Sequence, residues 1–275
     1  MRNGLAGCGG LRSLTSKTAL ERAREIAEAQ TIDEVWSRFV AVAAEYGFER
    51  VNYGYTRYRV GKSIGDPDDA MFLSTHSLEQ VKWFHESRTY LKSADYRWVR
   101  DNVGACSWGW VHEERKAGRL SKEECEVLDL LRGDQAVWRA GFSISFPQGA
   151  PRSKGAMGLA VAQGISQYEV DAHWATHETA IMVLANTAHM KLSQLPLPVP
   201  SVSLSARQRE ILAWIADGKT LQDVCILTDL SLSAVDKHLR RMRDALGVET
   251  TAQAVAKVSF LNQIFVHAMP ERGSG

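Results

Sequence analysis

Hydrophobic residues in the first two thirds of the chain switch between helical and strand spacing. Residues 18–46 carry apolar positions three and four apart, which predicts two helices with Thr31 or Asp33 capping the second. Residues 48–60 alternate in the manner of a strand. Further predicted helices are 77–103, 121–139 and 168–192, and further predicted strands are 141–149, 154–162 and a short one after a turn at 64–72. Helices before, between and after strands predict an α/β/α sandwich over residues 18–192.

A proline-rich stretch, residues 193–203, interrupts this pattern. Pro196, Pro198 and Pro200 remove backbone donors and favour an extended path, so neither a helix nor a central strand continues through them. We interpret the stretch as a linker between two domains; an internal loop of one domain is the alternative. Residues 1–17 and 267–275 are expected to be tails.

Residues 204–266 show only helical spacing. Each of four apolar segments begins with a hydroxyl residue followed three positions later by a carboxylate or an amide, as in a capping box. The four pairs are Ser205–Gln208, Thr220–Asp223, Ser233–Asp236 and Thr250–Gln253. They predict helices near 205–217, 220–228, 233–246 and 250–265, with Gly218 and Gly247 past two of the ends. The fold class is therefore α+β, with the α/β/α sandwich joined by a Pro-rich linker to an all-α four-helix domain.

The third of these helices is amphipathic with a basic outer face. One arc of its helical wheel holds Val235, Leu239, Met242 and Leu246. The opposite side holds Ser233, Lys237, Arg240 and Arg241, with His238 and Arg243 on the flanks. We expect the apolar arc to pack against Ile211, Leu212, Ile215, Val224 and Leu227. The basic face then points outwards.

The break before this helix, residues 229–232, has the length of the turn in a helix-turn-helix. In that motif the N-terminal part of the second helix reaches base edges of DNA. The small residues Ser233 and Ala234 would let the backbone approach DNA, and Lys237, Arg240 and Arg241 could reach bases or phosphates. A basic, solvated helix of an ordinary bundle is the alternative.

Net charge, cysteine spacing and hydropathy limit the kinds of site and environment that the chain can have. The formal net charge is +1, so any site for a polyanion must be local, as in residues 237–243. The four cysteines lie far apart, which argues against a disulfide framework or a zinc knuckle and fits a reducing cytoplasm. No apolar run approaches the roughly 18 residues of a membrane span.

Tryptophans are concentrated in the middle of the first domain. Five of the eight lie between positions 83 and 138, namely Trp83, Trp98, Trp108, Trp110 and Trp138. A cavity lined by these rings, with the carboxylate of Asp95 and the hydroxyls of Tyr55, Ser143 and Ser145, would suit a small amphiphile. Alternatively, the rings fill the core and Asp95 is a surface acid.

Enzyme and metal signatures are weak. His173 and His177 have a spacing that metals use, but no third ligand is evident. Cys106 and Cys125 have no recognisable histidine base, and a Gly-rich phosphate loop is missing. We therefore expect no metal, no cofactor and no enzyme activity; an enzyme, or a scaffold without DNA activity, is the alternative.

Residues 204–258 resemble the DNA-binding domain of LuxR-type transcription regulators. The matching elements are Leu204-Ser205, Glu210, Leu212, Gly218-Lys219-Thr220, Val235-x-Lys237-His238-Leu239, Leu246-Gly247-Val248 and Ala252-x-Ala254. The resemblance implies that helix 233–246 is the recognition helix, with His238 among its DNA-facing residues, and that helix 250–265 makes a dimer contact. Cys225 and Asp229 replace the usual Ala and Gly, and Asp tolerates a left-handed turn better than most residues.

The first domain resembles the autoinducer-binding domain of quorum-sensing LuxR-type proteins. The resemblance rests on GFERVNYGYTRY, on Asp95 followed by ACSWGW, and on Trp138-x-x-Gly141 before GFSISFP. It implies that Asp95 accepts a hydrogen bond from the amide of an acyl-homoserine lactone and that Trp108 or Trp110 lines the lactone pocket. Trp83 matches a Trp-x-x-x-Tyr pair whose second member here is Ser87.

These features together predict a cytoplasmic, homodimeric transcription regulator. Residues 18–192 would sense an acyl-homoserine lactone or an analogue, and residues 204–266 would bind an inverted-repeat operator in double-stranded DNA. No membrane association is expected. The alternatives are a different ligand, no ligand, or an interaction module that does not bind DNA.

Overall fold

A computed structural model describes residues 18–61, 63, 70–132, 139–147, 149–196 and 204–264. The chain forms two compact units. The first runs to Tyr55 and from Phe72 to Leu192, and the second takes Thr56–Met71 and resumes at Ser193. Both expected tails, most of the proline-rich linker and Trp138 lie outside the described residues.

The N-terminal part of the chain is a mixture of helices and strands, as the sequence predicts. Its helices are α1 Ala19–Glu28, α2 Ile32–Glu45, α3 Leu78–Ser87, α4 Ala94–Asp101, α5 Gly109–Lys116, α6 Lys122–Arg132 and α7 Gln167–Gln194, with a 3-10 helix at Thr89–Lys92. Its strands are β1 Phe48–Thr56, β2 Met71–Ser74, β3 Gly104–Ser107, β4 Gly141–Ser145 and β5 Lys154–Val161. They form one sheet in the order β2-β1-β5-β4-β3, in which β4 runs antiparallel to β3 and β5.

Three details differ from the sequence prediction. The segment 77–103 is broken into α3, the 3-10 helix and α4, because Arg88 takes a left-handed conformation and Ser93 begins a new helix as its N-cap. Strand β3 and helix α5 were not predicted, since segments of four and eight residues are too short to show a clear period. Thr31, and not Asp33, caps α2 by accepting from the N–H of Glu34.

Aromatic side chains join one face of the sheet to α7. The ring of Phe142 stacks on Trp174 with 4.0 Å between centroids, and Phe146 stacks on His189 at 4.2 Å. The hydroxyl of Tyr53 lies 2.9 Å from Nδ1 of His189. Each aromatic pair contributes roughly 0.5–1.5 kcal/mol beyond the burial of its surface. This face therefore holds the main core of the first unit.

The C-terminal part is the predicted four-helix domain. Its helices are α8 Ala206–Ala216, α9 Leu221–Thr228, α10 Leu232–Leu246 and α11 Thr251–Phe260. Complete capping boxes begin α8, α9 and α11, at Ser205, Thr220 and Thr250. The predicted box at Ser233 is wrong, because Ser231 accepts from the N–H of Ala234 and caps α10 instead. Ser233 therefore lies inside the first turn of α10.

Turn geometry in this domain follows the sequence. Gly247 ends α10 in the left-handed conformation, with φ of 62°. Asp229 ends α9 in the same conformation, with φ of 52°. Carboxylate side chains tolerate this backbone better than most, so the helix-turn-helix is intact without the usual glycine. Leu227 does not enter the core as expected, since its side chain is 46% exposed.

Among the described residues, no helix is both long and apolar enough to cross a membrane.

Candidate functional sites

The two faces of the sheet have different chemistry. Because strand side chains alternate, the neighbours of residues that contact α7 point away from it. We call this second face the open face. Its side chains on β1, β3, β4 and β5 are small or polar: Asn52, Gly54, Cys106, Ser143, Ser145, Lys154, Ala156 and Gly158. The register places Cys106, Ser143 and Gly158 in one row across three strands.

The open face is accessible in the middle of the sheet. In β5, the central strand, Gly155, Met157 and Leu159 are buried, whereas Ala156 and Gly158 between them are only half-buried. Strand β1 repeats the pattern, with half-buried Asn52 and Gly54 between buried residues. A side chain on a central strand is normally covered by core packing. These residues instead border space that the protein leaves unfilled.

Two glycines on the open face are required neither by the backbone nor by packing. Neither Gly54 nor Gly158 has a positive φ. A Cβ at Gly54 would meet only the ring of Phe72, at 4.0 Å, and one at Gly158 only the Cβ of Asn52, at 3.9 Å. By contrast, a Cβ at Gly141 would overlap the carbonyl oxygen of Leu159. Glycine weakens the interior of a strand, so Gly54 and Gly158 lower the stability of β1 and β5. In return they leave space above the sheet that a side chain would otherwise occupy.

Trp108 stands at the edge of this space and is tied to it twice. Its indole N–H donates to the hydroxyl oxygen of Ser143 at 2.9 Å, and its main-chain N–H donates to the carbonyl of Gly141 at 3.0 Å. The structure thus brings together two residues that the sequence singled out. The Ser143 hydroxyl accepts from Trp108 and keeps its own hydrogen for an acceptor such as a carbonyl oxygen.

A polar network behind Trp108 holds the turn between β3 and α5. The hydroxyl of Ser107 donates to the carboxylate of Asp171 at 2.7 Å and accepts from the N–H of Gly109 and from the Gln167 amide, both at 3.0 Å. This network could not be predicted from the sequence, because Ser107 and its α7 partners are about 60 residues apart. These hydrogen bonds fix the turn from which the side chain of Trp108 projects.

A buried lysine fastens α4 to the open face. Lys154 is 7% exposed, and its ammonium donates to the hydroxyl of Ser145 at 2.6 Å and to the carbonyl of Asn102 at 3.0 Å. Asn102 ends α4, where a positive charge is favoured by the helix dipole. Sequence reasoning missed Lys154 because lysine in a strand normally points to solvent. Helix α4, which carries Asp95 in its first turn, is thereby positioned over the sheet.

The outer face of α10 carries unpaired charge, while Val235, Leu239, Met242 and Leu246 are buried beneath it. Ser233, Lys237, Arg240 and Arg241 are exposed, and Ala234 and His238 are half-buried. We call these six residues the recognition face. Within the described chain, Lys237, Arg240 and Arg241 have no hydrogen-bond or ion-pair partner.

Other basic residues of the same domain are engaged in holding its helices together. Arg207 donates to the carbonyl of Thr228, Arg243 donates to the hydroxyl of Thr251, and Lys257 donates to the carbonyl of Leu246. Apart from Lys219, the basic side chains of this domain that remain available for phosphates among the described residues lie on the recognition face.

Comparison with known families accounts for both halves of the chain. Residues 31–192 match the family described as autoinducer binding domain, and residues 202–258 match the one described as bacterial regulatory proteins, luxR family. The chain belongs to the LuxR family of transcription regulators. It therefore combines an autoinducer-binding domain with a helix-turn-helix DNA-binding domain, and it is not an enzyme.

Individual relatives of this LuxR-family regulator are distant. It is 30% identical over 178 residues to the transcriptional activator protein SolR of Ralstonia nicotianae, covering 54% of this chain and 72% of SolR. It is 44% identical over 57 residues to the probable transcriptional regulatory protein SgaR of Hyphomicrobium methylovorum, covering 21% of this chain and 27% of SgaR. The crystal structure of Escherichia coli SdiA is similar at 14% identity, covering 90% of this chain and 98% of SdiA, with a TM-score of 0.45.

Four further residues were predicted to contact the ligand of this LuxR-family regulator, and they lie on the sheet, in the helical layer, and on α3 and α4. Tyr55 is not on the open face: it is 6% exposed, and its ring meets the His189 ring at 5.6 Å on the side of α7. The sequence could not show this, because it does not reveal which strand face is covered. Trp110 packs on Ala94, Val111 and Leu128, beneath the guanidinium of Arg97 at 5.6 Å. It belongs to the helical layer.

Asp95 and Trp83 lie on two helices of the first unit. Asp95 is half-buried in the first turn of α4. Trp83 lies on α3 with 45% of its side chain exposed, a large apolar surface that a bound molecule could cover. Trp83 and Asp95 are thus on neighbouring elements of the chain rather than on the sheet that carries Ser143.

The buried His189 and the half-buried His173 both contribute to the packing of α7. Burial, followed by the charge of Lys154, lowers the pKa of His189 to about 4. Burial also lowers the pKa of His173, whose Nε2 lies 3.1 Å from the carbonyl of Tyr46 and whose ring adjoins His177 at 4.5 Å. Groups of three or more metal-ligating side chains do not occur in the part of the chain that the structure describes.

Proposed function

We propose that this LuxR-family regulator binds an acyl-homoserine lactone, or an amphiphile of the same shape, against the open face. The observation that carries this proposal is the unfilled space over Gly54 and Gly158, in the middle of an otherwise well-packed sheet. Glycine at both positions leaves room for an apolar chain. The half-buried Ala156 extends the same surface.

Polar groups at one edge of this space suit the head of such a ligand. The hydroxyl of Ser143, which accepts from the indole of Trp108, supplies a hydrogen-bond donor for a carbonyl oxygen. The carboxylate of Asp95 is an acceptor for an amide N–H. A mainly apolar pocket with a few polar groups that fix orientation is the usual form of a small-molecule site.

Ligand binding would act on DNA binding through stability and domain placement. A ligand that binds only the folded state stabilises it by roughly 2.7 kcal/mol at one hundred times its Kd. We propose that the ligand fills the open face and thereby raises or lowers the population of the form that binds DNA. No cofactor beyond this effector is needed, and the regulator acts where its DNA is, in the cytoplasm.

We further propose that the regulator binds an inverted-repeat operator as a homodimer. The exposed side chains of α11 are all uncharged: Ala252, Gln253, Ala256, Ser259 and Phe260. A helix face without charge supports a contact with a second copy of itself across a two-fold axis. The two-fold axis of such a dimer would match the axis of an inverted repeat.

Thermal unfolding with a series of acyl-homoserine lactones tests the ligand proposal. We expect a rise in Tm with butanoyl to dodecanoyl members, strongest for the chain that fills the space, and loss of the rise in Asp95→Asn. Mass spectrometry of molecules that copurify with the protein identifies the natural ligand. The proposal fails when no member of the series changes Tm and no amphiphile copurifies.

Sedimentation of Ala256→Glu tests the dimer proposal. We expect this variant to sediment as a monomer and to bind an inverted repeat more weakly than the parent chain. Ala117→Glu, which adds the same charge at an exposed position after α5, is the control and should leave the dimer intact. A monomeric parent protein on its operator would overturn the proposal.

A further inference from the structure

One carboxylate lies beside the recognition face of α10. Asp236 is exposed, directly precedes Lys237 and lies one helical turn before Arg240. Among the described residues it has neither a hydrogen-bond nor an ion-pair partner. An acid here opposes the attraction of the neighbouring basic side chains for phosphate.

No structural role accounts for Asp236. The sequence suggested that it closes a capping box with Ser233, but α10 begins at Leu232 and is capped by Ser231. Asp236 is therefore the fifth residue of the helix, beyond the first turn in which an acid gains from the helix dipole. It also forms no ion pair with Arg240, although the two lie at a spacing that permits one.

Recognition of a base gives this carboxylate a role. In the major groove only cytosine and adenine present an amino group as a donor, and cytosine pairs best with an acidic side chain. We infer that Asp236 reads a cytosine in each operator half-site by accepting from its N4 amino group. This inference rests on the DNA-binding role of the C-terminal domain and adds a specificity-determining residue to it.

Together with Asp236, Arg240 gives α10 hydrogen-bonding groups that complement both bases of a C·G pair. The guanine opposite that cytosine offers O6 and N7 to an arginine, and Asp236 and Arg240 project from the same side of α10 one turn apart. A guanine or thymine at this position would leave the carboxylate facing acceptors. Specificity then comes from repulsion of wrong sequences as well as from attraction to the right one.

Selection of operators from a randomised duplex library tests the inference. The full-length chain is used with and without octanoyl-homoserine lactone, together with Asp236→Ala and Asp236→Asn. We expect the parent chain to select cytosine at one position of each half-site, by about 5- to 150-fold over other bases. Asp236→Ala should lose this preference alone, and Asp236→Asn should shift it towards adenine, which pairs with amide side chains.

Asp244→Ala is the matched control. Asp244 is also exposed on α10 and, like Asp236, has no partner among the described residues, but it lies two turns further along the helix. Its removal changes the net charge equally and should leave the selected sequence unchanged. The inference is overturned when Asp236→Ala selects with the parent's preference at every position, or when Asp244→Ala relaxes the same position. Failure of the parent chain to select any duplex would overturn DNA recognition itself, and this inference with it.

Discussion

The indole N–H of Trp108 donates a hydrogen bond to the hydroxyl of Ser143, with 2.9 Å between the nitrogen and the oxygen. The bond links the turn after β3 to the open face of β4. Ser143→Ala should leave the indole donor unpaired and lower the free energy of unfolding by about 1–3 kcal/mol. Urea unfolding measures this change. Ser143→Thr, which keeps the hydroxyl, is the control and should lose less.

A double-mutant cycle separates this hydrogen bond from packing. Trp108→Phe removes the donor, so adding Ser143→Ala to it should cost less than Ser143→Ala alone. Strictly additive losses in the free energy of unfolding would contradict the contribution of the hydrogen bond.

Gly158→Val should abolish ligand binding without lowering the stability of the unliganded protein. Valine favours a strand, and a Cβ at this position makes only an ordinary contact with Asn52, so the unliganded protein should be as stable as the parent or more stable. Its side chain would occupy the space proposed for the ligand, and the rise in Tm with long-chain acyl-homoserine lactones should disappear. Gly149→Val, at an exposed loop glycine, should keep the rise. Ligand-induced shifts equal to the parent's in Gly158→Val would remove Gly158 from the site.

Stability should fall in acid because of His189. Its pKa is about 4 in the folded protein and close to 6.5 in an unfolded chain. Between these values the unfolded state binds the additional proton, so stability rises with pH from about 4 to 6.5 and is lost as pH falls through that window. The whole effect is at most about 3 kcal/mol. Because the pKa values of other histidines are lowered too, the difference between variants is the informative quantity.

His189→Gln provides that comparison. The amide keeps an acceptor for the hydroxyl of Tyr53 and does not titrate. Urea unfolding at several pH values should therefore show a shallower dependence between pH 4 and 6.5 in the variant. Parallel curves for the variant and the parent would show that His189 does not contribute.

Lys237→Ala combined with Arg240→Ala should abolish operator binding without lowering Tm. Both side chains are exposed and make no contact that stabilises the fold of the described chain. Each lost phosphate contact should also lower the salt dependence of any residual binding by about 0.9 in the log–log slope. Gel-shift titrations at several salt concentrations measure both quantities. Lys82→Ala with Lys122→Ala, which removes equal charge from exposed sites of the first unit, should bind like the parent.

Ser231→Ala should lower stability and Ser233→Ala should not. Ser231 accepts from the N–H of Ala234 and caps α10, and loss of such a cap costs roughly 0.5–2 kcal/mol. Ser233 is exposed inside the helix, where alanine is the better helix former. The Tm values of the two variants show which serine caps α10. A larger loss in Ser233→Ala would restore the cap that the sequence suggested.

Periodic patterns in the sequence predicted most of the fold. The wheel of α10 separated buried Val235 and Leu239 from exposed Lys237 because one helix has one covered side. Three capping boxes were found because the two residues of a box are close in sequence. At α10 two serines lie close to the start of the helix, and the pattern alone could not choose Ser231 over Ser233 as the cap.

Sites assembled from distant residues were predicted less well. Trp108 and Ser143 were both singled out, but their hydrogen bond spans 35 positions and became visible only in the folded sheet. Tyr55 was assigned to the wrong side, because alternation in a strand gives two sets of residues without saying which one is covered. Lys154 escaped notice because its burial depends on carbonyls of α4 about 50 residues earlier.

The glycines of the sheet differ in what a side chain at each position would meet. At Gly141 a methyl group has no room, so substitutions there should lower the amount of folded protein in the cell. A Cβ at Gly54 or Gly158 meets only one neighbouring atom, so substitutions there should spare the expression level while removing the proposed response to ligand. A screen that measures protein abundance and signalling separately should therefore find variants at Gly54 and Gly158 that accumulate normally but do not respond. The full set of such positions would map the residues that line the ligand site.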